Sequence, residues 1–315
     1  QIRLVGSEMC IRDRVKSMTK SEKRQFKLYI GRLGVNEDSK FLLLFKVLDG
    51  LKAYSETAIL KDGFVKKQQL SNLKAHLYKQ ILISLKLNPS RQNLRIQLRE
   101  QLDFATILYH KGLYKQSLKI LDKAKSLAIK NQEKNIAYEI VELEKVIESQ
   151  YITRSLSNRA NELTIQAKEL SHQNVIASKL SNLSLQLYGL FLKTGYVKND
   201  SEYQKVTDYF NKRMPKYKIE VLGFREKLWL YKSYLWYSFL IQDFKSCYKY
   251  ARKWVDLFYD NETMIPLNPV FFLKGYQYLL EALFFAKHHQ KFKSVLSDFE
   301  KITQKSWFPN DYKID

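Results

Sequence analysis

Three arginines, Arg91, Arg95 and Arg99, recur at every fourth position, so on a helix they share one face, opposite Leu94, Leu98 and Leu102. Guanidinium groups arranged in that way suit a carboxylate-bearing tail or a phosphate, because the planar fork donates two parallel hydrogen bonds. A second basic array, Lys20, Lys23, Arg24, Lys27 and Arg32, is followed by Lys66, Lys67, Lys74 and Lys79. Together these suit contact with phosphates or an acidic partner, and every such array also reads as a solvated helix face. Residues for catalysis do not assemble in the same way. His76, His110 and His172 stand alone, and the adjacent His288 and His289 would point about 100° apart on a helix. Glu142 and Glu144 face different directions, and the common phosphate-loop, dinucleotide and zinc motifs are missing from the sequence. The expectation is a non-enzymatic protein with no catalytic residues, no metal and no cofactor.

The cations exceed the anions throughout. Lys and Arg number 54 against 32 Asp and Glu, a net charge of +22, and the lysines are scattered through nearly every expected helix. Such a charge favours nucleic acid, anionic lipid or an acidic protein surface, although biased codon usage produces the same scatter. Residues 1–14, QIRLVGSEMCIRDR, look like the translated read-through of a sequencing adaptor, and they are expected to be a disordered artefact ahead of native sequence that starts at or before Val15. With Cys10 set aside in that stretch, Cys247 is the remaining cysteine, so no disulfide framework is expected and a reducing, cytoplasmic compartment is the natural reading. No apolar run approaches the roughly 18 residues of a membrane span, so no membrane partner is expected.

The elements that must position these side chains are all helical. Five prolines, ten glycines and almost no alternating apolar and polar runs leave strands nowhere to form. Thr19 and Glu22 have capping-box spacing, which starts a helix that ends near Gly31 to Gly34. A buried helix is expected from Ser39 to Leu48, and a longer one from about Val65 to Leu87, ended by Asn88 and Pro89. These make an N-terminal basic helical module over 15–88. Further along, Val221 to Ile241 is apolar nearly all round, and Asn268-Pro269 reads as a cap and first turn. Aromatic density is high here, with Trp229, Tyr231, Tyr234, Trp236, Tyr248, Trp254, Phe271, Phe272 and Tyr276. At helical spacing they read as core, with base stacking or a hydrophobic peptide as the alternative use.

Between Phe104 and Ile129 the pattern is a helical hairpin: Leu102, Ala105, Leu108 and Tyr109, an interruption at Gly112, then Tyr114, Leu118, Leu121 and Ala124. Gly112 is expected to take the left-handed conformation that ends the first helix, and Tyr114 to wedge between the two. Similar second-helix starts fall at Tyr114, Ser157, Tyr203, Phe244 and Phe292, spaced by 43, 46, 41 and 48 residues. Small residues are expected three positions on, at Ser117, Ala160, Val206, Cys247 and Val295, and mostly larger ones at Leu121, Thr164, Phe210, Ala251 and Phe299. A two-helix unit cannot bury both apolar faces alone, so about five such hairpins over 90–315 would have to stack.

The order Phe104, Ala105, Leu108, Gly112, Tyr114, Ser117, Leu121, Ala124 resembles a tetratricopeptide repeat, with Ile129 where that family usually has proline. The resemblance implies an all-α, right-handed superhelical solenoid of antiparallel hairpins behind an N-terminal helical module. By the same resemblance the helix with Arg91, Arg95 and Arg99 would line a concave groove. The stretches SMTKSEKRQFKLYI, FLLLFKVLDGL and YHKGLYKQSLKILDKAKSLA also look like a group of bacterial helical-repeat proteins, a likeness that brings no activity with it. The functional expectation is a protein-protein interaction scaffold that holds a peptide or protein partner. The alternative is a nucleic-acid-associated regulator that uses the basic N-terminal module, with the repeats as sensor or dimerisation domain.

Overall fold

The structure is a computed structural model that describes residues 7–34, 39–87, 93–150 and 158–305. Among the described residues the chain is helical throughout, with no strand. It divides into two compact units, one running to Ile96 and the other from Gln97.

In the first unit, α1 (Ser7–Ser17), α2 (Lys20–Arg32), α3 (Lys40–Gly50), α4 (Glu56–Leu60) and α5 (Lys67–Lys86) close around one core. Thr19 caps α2 through the reciprocal box its spacing suggests: its hydroxyl accepts from the Glu22 N–H at 3.3 Å, and its own N–H donates to Glu22 Oε2 at 2.7 Å. Phe26 and Ile30, one turn apart, are the residues that α2 buries, and Phe26 meets Phe45 of α3 with ring centroids 4.8 Å apart. Leu70, Leu77 and Ile81 of α5 complete this core. Residues 7–14 form most of α1. Ile11 joins Val15 and Met18 at i, i+4 and i+7 in burying one stripe against the core.

The second unit holds the rest of α6 (Leu94–His110), then α7 (Tyr114–Lys130), α8 (Lys134–Gln150), α9 (Arg159–Thr194), α10 (Asp200–Arg213), α11 (Phe224–Leu240), α12 (Phe244–Tyr259), α13 (Pro269–Phe285) and α14 (His289–Thr303). The turn after α6 has the geometry expected of Gly112. Its φ is +73°, its N–H donates to the Tyr109 carbonyl, and the next N–H, of Leu113, reaches back to Leu108. The same pair of backbone hydrogen bonds recurs at three further turns without glycine, at Gln132 (φ +61°), Gln242 (φ +59°) and Lys287 (φ +57°). Each of these lets one helix fold back on the one before it after three linking residues. Ala105 and Leu121 are fully buried, Ala124 nearly so, and the Ser117 hydroxyl ties α7 to α6 by donating to the Ala105 carbonyl at 2.8 Å. Tyr114 is half-buried, its ring 5.9 Å from that of Tyr109.

Two elements differ from the expected pattern. α9 is one continuous helix of 36 residues, about 54 Å long, where the repeat requires a break between two hairpins. Its buried stripe runs through Leu163, Ala167, Leu170 and Leu180, so Ala160 and Thr164 are exposed rather than packed; Ser157 lies outside the described residues. Asn268 precedes α13 as expected, but its side chain does not cap the helix. Its amide donates to the Met264 carbonyl instead, because the preceding 3-10 turn, Glu262–Met264, brings that oxygen within 3.3 Å.

The core of the second unit changes character along the chain. Trp254 is fully buried in α12 and donates from Nε1 to the Phe271 carbonyl at 3.1 Å. Gly275 makes room for that ring against α13, since a Cβ there would come 3.0 Å from Trp254 Cδ1. Cys247 is also fully buried, and burial, then the nearby Asp243 carboxylate, pushes its thiol pKa well above the ordinary value.

Candidate binding surfaces

An apolar groove of about 540 Å³ opens in the second unit where α9, α11, α13 and α14 converge. Phe191, Tyr196, Trp236, Phe239, Leu280, Phe284, Phe285 and Phe292 line it. The rings support one another: Phe191 lies 5.6 Å from Trp236, and Phe285 stacks on Phe244 at 5.1 Å. They are not all covered. Phe284 is 62% exposed and Phe285 42%, which places large apolar area in water at the edge of a concavity. One polar group lies buried beneath the lining and one charged residue interrupts it. Trp236 is only 7% exposed, and its buried indole N–H has no hydrogen-bond partner. Glu281 is the one charged residue of the lining and accepts from Gln277 Nε2 at 2.7 Å. Burial, followed by the charge of Glu281, raises the pKa of the neighbouring Tyr278 hydroxyl to about 12.

The first unit carries a surface of the opposite kind. Lys20, Lys23, Arg24 and Lys27, the four residues the sequence marks for phosphate or acidic contact, all line one cleft of about 650 Å³ along α2. Leu28, Gly31 and Arg32 extend it, and Asp49 of α3 supplies a carboxylate 2.6 Å from Lys23 Nζ. Lys20, Arg24 and Lys27 are exposed, whereas Lys23 is half-buried against that partner.

The arginine face is less well assembled. Arg95 and Arg99 are both exposed on α6, Arg99 lies 3.5 Å from Glu139 of α8, and Arg91 lies outside the described residues. A guanidinium already facing a carboxylate has part of its charge answered within the protein.

Buried charge lies instead between the helices. Lys125 of α7 is 2.5 Å from Glu144 of α8, and Arg159 of α9 approaches the same carboxylate at 3.5 Å. Burial raises the Glu144 pKa, and the hydrogen bond and charge of Lys125 oppose it. Lys134 of α8 meets Glu226 of α11 at 2.9 Å, while the other oxygen of Glu226 has no partner. Among the described residues no group of His, Cys, Asp and Glu is placed to hold a metal ion, and no helix is long and apolar enough to cross a membrane.

The described residues thus define an all-helical protein with an apolar, aromatic groove in one unit and a cationic cleft in the other. No protein family, curated protein or solved structure matches the chain. Of the groove residues, Trp236 stands in the aromatic stretch that helical spacing assigns to the core, and Phe191, Tyr196, Glu281, Phe284 and Phe285 carry no motif. The one local signal is the Phe284-Phe285 pair at a helix end, because adjacent aromatics on a helix cannot both face inward.

Proposed function

We infer that this chain is a non-enzymatic binding scaffold that holds a segment of a partner protein or peptide in the aromatic groove of its second unit. The observation that supports this is the groove lining. Its exposed rings gain by being covered, at about 25 cal/mol for each Å² of apolar surface removed from water. Glu281, the charged residue of the lining, favours a cation beside that apolar surface. The occupant this describes is a large apolar side chain flanked by lysine or arginine. The same reading includes a tetratricopeptide-like, right-handed solenoid for the hairpins, supported by four turns of one geometry, and a cytoplasmic setting, supported by a buried free Cys247. It does not depend on Arg91, Arg95 and Arg99.

Selection of a displayed random-peptide library on the full chain tests it. Enriched peptides should carry an aromatic or large aliphatic residue beside a cation. Phe284→Ser combined with Phe285→Ser should weaken their binding by about tenfold or more, the equivalent of burying one large ring. Glu281→Lys should select against the flanking cation. The absence of enrichment, or equal binding to the double variant, removes the groove from the function.

A further inference from the structure

The geometry points to a second and separate binding site in the first unit, where the cleft along α2 takes the phosphodiester backbone of a nucleic-acid strand. Lys20, Lys23, Arg24 and Lys27 stand at i, i+3, i+4 and i+7, so they form a single row on one helix face that all opens into the same cleft. The row is about 10 Å long at 1.5 Å per residue. In a base-stacked strand the phosphates advance by about 3.4 Å along the helix axis, so a row parallel to that axis lies over about three of them. With Arg32 at the far end, five cations line the cleft against the single carboxylate of Asp49.

The shape selects among polyanions. The cations line an open cleft along one helix, a form that a strand can follow along its length, whereas the headgroups of a flat bilayer are met best by a flat or convex face. An acidic polypeptide normally adds apolar anchors, and the lining offers it only Leu28. No aromatic side chain lines the cleft, so bases have no platform on which to stack. The recognition is of backbone charge, tolerant of sequence, and the +22 of the whole chain draws the strand in. Asp49 has a defined part in this arrangement. It holds Lys23 half-buried at the cleft wall and competes with phosphate for it.

Fluorescence anisotropy of the full chain with a labelled 20-nucleotide single strand, across a salt series, tests the site. About three phosphate contacts give a log–log salt slope near −2. The triple variant Lys20→Gln, Arg24→Gln, Lys27→Gln, all at exposed positions, should flatten that slope towards zero and weaken binding by about tenfold at low salt. Asp49→Asn should tighten binding, because it frees Lys23. A charge-matched control, Lys119→Gln, Lys123→Gln, Lys130→Gln on exposed positions of α7, should retain most of the affinity. Equal loss in that control would mean that the overall charge binds rather than the cleft. Failure to bind the strand, displacement of the strand by polyglutamate at equal charge, or tighter binding to phosphatidylserine vesicles would each overturn the assignment. The groove variants Phe284→Ser and Phe285→Ser leave oligonucleotide binding intact, so this proposal and the peptide reading fail separately.

Discussion

Around α7, α8 and α9 the second unit is joined by buried charge, with Lys125, Glu144 and Arg159 in one cluster and Lys134 reaching Glu226 on α11. Around α11, α12 and α13 it is joined by rings, with Trp254 between Phe271 and Gly275, and Phe258 against Phe224 and Phe272. The two solutions distribute stability differently. Ring packing adds up from many contacts and is hurt mainly by lost volume. A buried ion pair contributes little net energy as a whole, yet removing one member is costly because the other keeps its charge in a poor solvent. The charged region is therefore specified by pairing, and the aromatic region by shape.

Substitutions at three places, Trp254, the Lys134–Glu226 pair and Glu144, sharpen that contrast. The largest effect is expected of Trp254→Ala, which empties the centre of the aromatic region and removes the indole hydrogen bond to the Phe271 carbonyl. Chemical denaturation should show a loss of about 3–5 kcal/mol that changes little with added salt. Lys134→Met should cost about 3 kcal/mol in the same measurement, since Glu226 would keep a buried charge with neither oxygen paired. The double variant Lys134→Met, Glu226→Leu should recover most of that loss. A double variant as unstable as the single one would mean that this pair contributes net stability. The smallest effect is expected at Glu144, where burial already outweighs the attraction of Lys125. A carboxyl whose pKa is raised in the folded protein binds its proton more tightly there than in the unfolded chain. Its contribution therefore falls as pH rises through that raised value. Glu144→Gln should cost little near neutral pH, because Lys125 keeps the Asp122 carboxylate 3.7 Å away, and should flatten that part of the stability profile. A large loss at neutral pH would place Glu144 with Glu226 instead.

What can be read directly in the residues is local. Thr19 with Glu22, Gly112 and Pro269 each act through neighbours within a turn, and the helix boundaries follow them closely. The four cations of α2 are also legible, since a helix needs only their spacing to align them. The repeat pattern marks the helix start at Phe244, but Gln132, Gln242 and Lys287 themselves carry no sign of their conformation, because nothing marks a side chain that accepts the left-handed region under tertiary constraint. The continuity of α9 is hidden for a related reason. The repeat period calls for a boundary inside this stretch, yet no glycine or proline stands between Arg159 and Tyr188 to enforce one. The groove has no signature of its own because its walls come from four helices spread between Phe191 and Phe292, and only folding brings them together.

Cys247 gives the second unit a built-in timer. Its sulfur sits at full burial in the first turn of α12, and only the thiolate is reactive. With the pKa held high by its surroundings, alkylation has to wait until α12 lifts away from its neighbours. The rate at which that one atom is modified therefore counts openings of the aromatic region, with no substitution made there.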